Sequence, residues 1–228
     1  MLSLNVFIFA YNEARSLEAV VKEVSDTLKG LGRPHEIVII DDGSTDGTGD
    51  TAERLSREFA DVSVIHHEIN RGLGSAYKTA FANARCDLVT FFCGDGQFPP
   101  DILKQFLPLM DNLDMVLGYL PHRKDPLVSK MLSKVEKVLF RIIFGPMPKF
   151  QGVLMFRRRL LDEIKLKSGG GRAWTVLMEL IIRTSRCKYR IASVPTQIRP
   201  RKIGRSRVNN LPTIWANLKQ AFALRRYL

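Results

Sequence analysis

The sequence predicts an α/β fold with a mostly parallel central sheet, and three observations lead to this prediction. Hydrophobic residues make up 45% of the 228 residues, which is enough apolar material for a packed core and excludes a disordered or low-complexity chain. Short apolar runs alternate with longer stretches of helical periodicity. A polar turn follows each apolar run, as in βαβ units.

Four strand and helix pairs account for the first half of the chain. The predicted strands are Val6–Ala10, Glu36–Ile40, Val62–His66 and Leu88–Phe92. The predicted helices are Ser16–Leu31, Thr48–Phe59, Ala76–Ala84 and Asp101–Met110. Ligands of parallel sheets bind beyond the carboxyl ends of the strands, so the turns after these strands are the candidate site.

The second half of the chain is less regular. Its predicted strands are Val153–Phe156 and Ile191–Ile198, and its predicted helices are Leu127–Phe144, Leu160–Ile164, Thr175–Ser185 and Pro212–Leu228, with a basic loop at Arg199–Asn210. The only glycine-rich stretch is short, and no repeat is present. We therefore expect a single domain over residues 1–228.

Charge divides the chain into two unequal halves. Residues 1–114 contain ten Lys and Arg against eighteen Asp and Glu, whereas residues 115–228 contain twenty-five against five. A strongly basic region usually faces a polyanion, here nucleic acid, an anionic membrane surface or a phosphorylated ligand. The basic half lacks interleaved aromatic residues and a nucleic-acid-binding module, so no nucleic-acid partner is expected.

The amino terminus and the cysteines indicate a cytoplasmic protein. Met1–Ala10 is apolar, but no basic residue precedes it and no small-residue cleavage pattern follows it, so it is predicted to be a strand rather than a signal peptide. No apolar run reaches the ~18–20 residues of a membrane-spanning helix. Cys86, Cys93 and Cys187 are odd in number and widely spaced, which favours a reducing compartment.

The turns after the first two strands carry closely spaced acids. The first turn is Ala10-Tyr11-Asn12-Glu13, and the second, Asp41–Thr48, reads DDGSTDGT. Carboxylates at a strand end can accept hydrogen bonds from a base imide or from ribose hydroxyls, while Gly and Ser permit a tight turn into a helix. A capped turn with solvated acids explains the same residues equally well.

The turns after the third and fourth strands carry glycines. Asn70–Ala76 (NRGLGSA) leads into a helix start, where backbone N–H groups favour a phosphate, but it lacks the third glycine of the dinucleotide fingerprint. In Phe91–Pro100 (FFCGDGQFPP), Asp95 and Gln97 supply oxygen ligands suited to a hard divalent cation on a pyrophosphate. A glycine-rich turn before a Pro-started helix is the alternative for this segment.

In this order and spacing, the four turns resemble those of the family-2 inverting glycosyltransferases of the GT-A fold. The similarity is greatest to the dolichol-phosphate mannose synthase and polyprenyl-phosphate glycosyltransferase group, which moves a hexose from a nucleotide sugar to a polyprenyl phosphate. The resemblance covers the whole chain. It implies a Rossmann-like domain in which residues 1–114 form the nucleotide-sugar half and residues 115–228 the acceptor and membrane-facing half.

The resemblance also assigns roles to individual residues. It implies that Asp95 is catalytic and, with Gln97, holds Mg²⁺ or Mn²⁺ on the diphosphate. The chain departs from the family at Cys93, where the family carries an acid two residues before its central Asp, and this departure weakens the expected metal site. The nucleotide-sugar contacts implied by the resemblance are Ala10, Tyr11, Asn12, Glu13, Asp41, Asp42, Gly74 and Asp95.

The acceptor half carries many cations and lacks a recognisable general base. Transfer to a hydroxyl requires a base, which the family places in a Glu-Asp pair before a late helix, and the matching segment Gly171–Trp174 has no acid. A phosphate acceptor is already anionic and needs none.

The segment Arg201–Arg207 (RKIGRSR) resembles the R-x-x-G-x-S-K phosphate-binding segment of the polyprenyl-phosphate group. The resemblance makes Arg201 and Ser206 the expected phosphate contacts and Arg201 a catalytic residue, since a guanidinium grips phosphate bidentately. The alternative is a solvated basic loop or a general attraction to the membrane surface. Looser matches add three candidates for the acceptor phosphate, Arg123, Lys130 and Ser133.

The helix predicted at Leu127–Phe144 is amphipathic and basic. Lys130, Lys134, Lys137 and Arg141 gather across from its apolar arc. Such a helix suits an anionic bilayer interface, and a helix packed on the core with its charges in water is the alternative. The resemblance favours the interface, because a polyprenyl tail stays in lipid while its phosphate reaches the site.

Together these features predict a hexosyltransferase, peripheral on the inner, cytoplasmic face of the membrane, that moves a hexose from a UDP- or GDP-sugar to a polyprenyl phosphate with inversion. The expected partners are the nucleotide sugar, the polyprenyl phosphate, an anionic membrane surface and a membrane protein. One alternative is transfer to a saccharide or protein hydroxyl, which requires a base. The other is a non-catalytic membrane-bound homologue, which is suggested by Cys93 at the position where the family carries an acid.

Overall fold

The computed structural model describes residues 1–121, 141, 143–169, 175–200 and 222–225. The strands in this part of the chain are β1 (Leu4–Ala10), β2 (His35–Asp41), β3 (Val62–His66), β4 (Leu88–Cys93), β5 (Met115–Tyr119), β6 (Leu154–Arg157) and β7 (Ile191–Pro195). The helices whose bounds lie within it are α1 (Leu17–Leu31), α2 (Thr48–Glu58), α3 (Leu73–Asn83), α4 (Ile102–Leu109), α5 (Arg159–Glu163) and α6 (Thr175–Arg186).

These strands form one sheet in the order β3-β2-β1-β4-β6-β5-β7. Strand β1 pairs in parallel with β2 and β4, β2 with β3, and β5 with β7, while β6 is antiparallel to its neighbours β4 and β5. The α/β class and the mostly parallel sheet are therefore confirmed. Strands β1–β4 come from the acidic half and β5–β7 from the basic half, so both halves build the same sheet.

The strand order reverses beside β1. From β1 the chain moves outward to β2 and β3, and it then returns to the other side of β1 with β4. At such a switch point a crevice opens beyond the carboxyl ends of the central strands. Every strand of this sheet except β6 ends at the same edge, here named the carboxyl edge, so the turns after β2, β1 and β4 lie there next to one another.

Helices cover both faces of the sheet. All seven residues of β1 are buried. One face packs against α1, α2 and α4 through residues such as Leu17 and Phe106, and the other packs against α3 and α6 through residues such as Tyr77 and Leu180. Strands buried on both faces have continuous apolar runs rather than alternating ones, which explains why the sequence pattern reveals them.

The predicted elements of residues 1–114 are confirmed, with shifts at their ends. The largest shift is in α3, which begins at Leu73 rather than Ala76. Gly72 precedes it with φ 84° and accepts hydrogen bonds from the amides of Ser75 and Ala76, so the helix starts one turn earlier. In the second half, β7 ends at Pro195 rather than Ile198. After Thr196 the chain leaves β5, and the amide of Arg199 donates to the carbonyl oxygen of Gln97 in the turn after β4.

Strand β5 has no counterpart among the predicted elements. It contains Gly118, and glycine has a low strand propensity. A Cβ atom at this position would lie 2.6 Å from Cγ2 of Thr196 and 2.8 Å from the carbonyl oxygen of Val153. Glycine is needed here because chain segments beside β6 and β7 approach closely, and a local pattern does not report this approach.

Three predicted elements lie wholly or mostly outside the described residues: the helices Leu127–Phe144 and Pro212–Leu228 and the loop Arg199–Asn210. The end of the first helix is described. Its Ile143 and Phe144 are buried against Met178, Ile182 and Leu224. This end therefore packs against α6 and Leu224, and the interfacial role of the helix stays a prediction. No helix of the described residues is both long enough and apolar enough to span a membrane.

Candidate functional site

Backbone hydrogen bonds join the predicted site turns at the carboxyl edge. The amide of Asp42 donates to the carbonyl oxygen of Ala10 (2.9 Å), and the amide of Gly94 donates to that of Phe9 (2.8 Å). A Cβ atom at position 94 would lie 3.6 Å from Cβ of Glu13, so the turns after β4 and β1 are in contact. The turns after β2, β1 and β4 therefore form one continuous surface at the switch point.

Asn12 fastens the turn after β1 to the turn after β2. Its φ of 56° lies in the left-handed region, which Asn tolerates better than most residues. Its amide donates to Oγ of Ser44 (2.9 Å), and its side-chain oxygen accepts from the amide of Thr45 (2.8 Å). The amide of Glu13 donates to Oγ1 of Thr48 (2.9 Å). The Ser and Thr side chains of DDGSTDGT thus hold the two turns together.

Asp46 is the third acid of the same turn, and it also has a structural role. Its carboxylate accepts hydrogen bonds from the amides of Ala14 (3.3 Å) and Thr48 (3.1 Å) and from the Thr48 hydroxyl. Burial raises the pKa of Asp46, but these donors outweigh burial and hold the pKa below its ordinary value. An ionised Asp46 at the amino end of α2 also interacts favourably with the helix dipole.

Asp42 is buried, and donors from its own chain saturate it. Its Oδ1 contacts Nδ1 of His67 (2.6 Å) and the amide of Arg71 (3.0 Å), and its Oδ2 accepts from Nδ2 of Asn70 (3.1 Å) and from the amide of Gly72 (2.8 Å). Four partners fill the lone-pair positions of one carboxylate. Asp42 therefore anchors residues 67–72, named here the anchored loop.

This arrangement involves the turn for which the sequence predicts a phosphate site. The amides of Arg71 and Gly72, which lie in this turn before α3, donate to Asp42. An amide has one hydrogen to donate, so the chain's own carboxylate takes the place of an external anion at these two groups. The predicted contact between Asp42 and the nucleoside stays a prediction.

Asp41 has fewer partners than Asp42. Its Oδ1 accepts from the amide of Ser44 (3.1 Å), and its Oδ2 lies 3.0 Å from Nδ1 of His66, whose Nε2 lies 3.0 Å from Glu53. Burial lowers the pKa of His66, but the hydrogen bonds to Asp41 and Glu53 outweigh burial and raise the pKa above its ordinary value. Two adjacent acids thus pair with two adjacent histidines on neighbouring segments.

The turn after β4, named here the metal turn (Gly94–Phe98), places Asp95 beside Gln97. The amide of Gln97 donates to Oδ1 of Asp95 (3.1 Å), and Gly96 has a φ of 67° that lets the chain reverse. Cys93, at the end of β4, is exposed.

The donor set of the metal turn suits a hard cation. Among the described residues, no group of three or more His, Cys, Asp and Glu side chains could hold a metal ion by itself. Mg²⁺ is commonly held by one or two carboxylates together with substrate phosphates and water. The oxygens of Asp95 and Gln97 fit Mg²⁺ or Mn²⁺ that binds together with a diphosphate.

Gly152 and Arg199, both in the basic half, contact the metal turn. Gly152, with a φ of 103°, lies against the ring of Phe98, and a Cβ atom at position 152 would be only 2.3 Å from that ring. The amide of Arg199 donates to the carbonyl oxygen of Gln97 (2.8 Å). The sequence alone assigned no role to Gly152, and the structure shows that it makes room for Phe98.

The three acids of residues 150–190 serve other purposes than a base at the carboxyl edge. Asp162 and Glu163 lie on α5, which follows the antiparallel strand β6 and therefore sits at the opposite edge of the sheet. Glu179 is fully buried and accepts from the amides of Lys167 (3.0 Å) and Ser168 (2.7 Å). Burial raises the pKa of Glu179, but its donors outweigh burial and lower the pKa, which makes it a weak base.

Several predicted roles stay predictions. Gly74 is buried in the first turn of α3, and Tyr11 and Glu13 lie half-buried at the switch point, where the resemblance expects the nucleotide. Five predicted acceptor residues lie outside the described part of the chain: Arg123, Lys130, Ser133, Arg201 and Ser206.

Sequence reasoning missed the residues that hold the site together. His66 and His67 belong to no motif, and the signal that could have revealed them is the in-register pairing of Asp41 with His66 on neighbouring parallel strands. Glu23 and Arg199 form an ion pair although they are 176 residues apart. No local pattern reports such a contact.

Comparison with known proteins identifies relatives over most of the chain. The family model of Glycosyl transferase family 2 matches residues 5–177. A dolichol-phosphate mannosyltransferase from Pyrococcus furiosus is 28% identical over 99% of this chain and 64% of its own length. An undecaprenyl-phosphate mannosyltransferase from Micrococcus luteus is 28% identical over 87% of this chain and 84% of its own length.

A third relative matches a smaller part. The undecaprenyl-phosphate 4-deoxy-4-formamido-L-arabinose transferase of Salmonella typhimurium is 29% identical over 71% of this chain and 50% of its own length. The chain therefore spans less than two thirds of the Pyrococcus and Salmonella relatives.

Solved structures share the fold. Glucosyl-3-phosphoglycerate synthase from Mycobacterium tuberculosis, in complex with Mn²⁺, UDP and phosphoglyceric acid, has a TM-score of 0.71 at 19% identity and covers 98% of this chain and 78% of its own. A mannosyltransferase from Pyrobaculum calidifontis, in complex with GDP-Man and Mn²⁺, has a TM-score of 0.66 at 20% identity over 99% of this chain and 64% of its own. The GT-A fold implied by the resemblance is confirmed.

Proposed function

The chain belongs to glycosyl transferase family 2, and on this premise we propose that it transfers a hexose from a UDP- or GDP-sugar to a polyprenyl phosphate with inversion. The observation that carries the acceptor class is the placement of the acids at residues 150–190. Two lie at the opposite edge of the sheet, and the third is buried and bound to backbone amides. A phosphate acceptor brings its own negative oxygen and needs no base. The names of the curated relatives support the same acceptor class.

The donor nucleotide binds, in this proposal, at the switch point of the sheet. Tyr11, Glu13 and Asp41 contact the nucleoside from the turns after β1 and β2. Asp42 acts through the anchored loop, which it holds against these turns. The crevice at the switch point of an open parallel sheet is where nucleotides bind in other α/β proteins.

Asp95 and Gln97 are the residues that would hold Mg²⁺ or Mn²⁺ against the diphosphate. When bound, the ion neutralises the negative charge that builds on the leaving diphosphate. Arg201, with its guanidinium, grips the acceptor phosphate. The acceptor oxygen attacks the anomeric carbon on the face opposite the diphosphate, so the configuration inverts.

We place the protein at the inner face of the cytoplasmic membrane as a peripheral enzyme. The polyprenyl acceptors named in the curated relatives are lipids, and the basic half carries twenty-five Lys and Arg against five acids. Basic residues near anionic lipid contribute about 1 kcal/mol each to membrane binding. An anionic membrane surface and a membrane protein are the proposed partners of this half.

The decisive experiment offers purified protein a panel of labelled UDP- and GDP-hexoses with vesicles that contain undecaprenyl or dolichyl phosphate. We expect label from one donor to enter the organic phase and to require Mg²⁺ or Mn²⁺. Asp95→Asn should lower transfer by about a hundredfold or more, and Arg201→Ala should mainly raise KM for the lipid. The exposed Asp111, in the same half as Asp95 and without an assigned role, provides the control variant Asp111→Asn.

Two outcomes would contradict the proposal. Label that appears in a saccharide or a protein instead of lipid would show that the acceptor is a hydroxyl. Titration calorimetry that detects no metal-dependent binding of GDP or UDP would favour the non-catalytic homologue that Cys93 suggests.

A further inference from the structure

After β7 the chain crosses the carboxyl edge and is fastened to the metal turn. The amide of Thr196 still donates to the carbonyl oxygen of Tyr119, at the end of β5 (2.7 Å). Three residues later the amide of Arg199 donates to Gln97, which follows β4 (2.8 Å). Strand β6 separates β5 from β4 in the sheet, so this short segment bridges from the acceptor side to the metal turn.

The side chain of Arg199 makes a second attachment. Its Nη1 and Nη2 donate to the two carboxylate oxygens of Glu23 on α1, each at 2.8 Å. The pair is half-exposed, with side-chain exposures of 40% for Arg199 and 38% for Glu23, and a bidentate pair of this kind fixes direction as well as distance. The carboxylate of Asp101, beside the start of α4, also attracts the Arg199 guanidinium.

Glu23 lies on helix α1, which is packed into the core. Val20 and Val24 on the same helix are buried in the core. Val20 also underlies the metal turn, because a Cβ atom at Gly96 would lie 3.2 Å from its Cγ2. Residues three apart share a helix face, so one face of α1 supports the metal turn through Val20 and holds Arg199 through Glu23.

We propose that Glu23 is a positioning residue for the acceptor. By holding Arg199 on the metal turn, it fixes the position of the residue from which the chain continues to Arg201 and Ser206. Glu23 touches neither substrate in this scheme. This inference rests on the proposed function, because it assigns the acceptor phosphate to that basic segment.

The test is Glu23→Gln, which keeps the shape of the side chain and removes its charge. A half-exposed ion pair is worth little in general, so we expect KM for polyprenyl phosphate to rise about fivefold. KM for the nucleotide sugar and kcat at saturating lipid should stay within about twofold. The charge exchange Glu23→Arg with Arg199→Glu should recover much of the lost acceptor affinity.

The matched control is Glu18→Gln on the same helix. Glu18 pairs with Arg54 of α2 at 2.6 Å, so this variant also breaks an ion pair between two elements, but away from the metal turn. It should leave both KM values unchanged. Hydrogen exchange supplies a readout without catalysis: the Arg199 amide should exchange faster in Glu23→Gln than in the wild type or in Glu18→Gln.

The outcomes separate this inference from the function on which it rests. If the wild type transfers the hexose to lipid but Glu23→Gln has an unchanged KM for lipid, the positioning role alone is overturned. The same holds if Glu23→Gln raises the KM for lipid and the KM for nucleotide sugar alike. Absence of lipid transfer by the wild type overturns the proposed function and, with it, the role of Glu23 in acceptor use. Thermal unfolding of each variant excludes global destabilisation as the cause of a raised KM.

Discussion

Asp41 and Asp42 are adjacent in the sequence, yet their surroundings differ. Asp42 is bound by four groups of its own chain, one of which is His67, whose side chain is 4% exposed. Asp41 has fewer partners and pairs with His66, whose side chain is 40% exposed. Both carboxylates are themselves buried, with side-chain exposures of 6% for Asp41 and 8% for Asp42, so the two acids differ in the number of their partners and in the exposure of their histidines. Asp42 therefore anchors a buried loop, whereas Asp41 holds a histidine that is half-exposed.

The substitution Asp42→Ala tests the anchor most directly. It leaves several buried donors without an acceptor, and we expect the free energy of unfolding to fall by about 3–5 kcal/mol. Urea denaturation measures this loss. The matched variant Asp41→Ala should cost about 1–2 kcal/mol, because it removes fewer bonds and His66 can turn to water. Equal losses of unfolding free energy in the two variants would show that Asp42 is not the stronger anchor of the two acids.

The substitution Gly43→Ala tests the same anchor by pushing the loop away. Gly43 has a φ of 69°, and a Cβ atom there would lie 2.3 Å from the carbonyl carbon of Ile69 in the anchored loop. Backbone strain and the clash together should cost about 2–4 kcal/mol. Gly47 is the control, because it has a φ of 87° but no atom within 4 Å of a built Cβ.

For Gly47→Ala we expect only the cost of a left-handed residue, about 1–2 kcal/mol in thermal or urea unfolding. The difference between the two variants then isolates the contact with Ile69. A loss in Gly43→Ala no larger than in Gly47→Ala would mean that the loop does not press on the turn in solution.

The smallest expected effect concerns His66 and is visible in its pH dependence. Because the folded state raises the pKa of His66, protonation favours folding. The contribution is fully present below the unfolded pKa of about 6.5 and is lost as pH rises through the folded value. His66→Gln should therefore lower stability by about 0.5 kcal/mol or less near pH 6, since the pair is half-exposed, and by nothing measurable near pH 9.

Measurements of unfolding at several pH values check this prediction. The variant and the wild type should converge as pH rises. A difference that grows with pH would show that the carboxylates of Asp41 and Glu53 do not stabilise protonated His66.

The sequence by itself predicted the strands, helices and turn motifs of residues 1–114. Strands β1, β2 and β4 are buried over most of their length, so their apolar runs are nearly continuous, and the polar turns that follow the strands are local features of a few residues. The four turn motifs also led to the family, and the family model confirms it. Their chemistry depends on residues close together in the chain, which is why a linear pattern reports it.

Only the tertiary structure decided which residues build the site. Strand β5 depends on a glycine required by a close approach of distant segments, and Asp42 became an anchor because the loop before α3 folds onto its carboxylate. Glu23 and Arg199 are 176 residues apart and meet only because β7 ends at the same edge of the sheet as β4. Such contacts depend on the order of strands in the sheet, and local sequence patterns carry no record of that order.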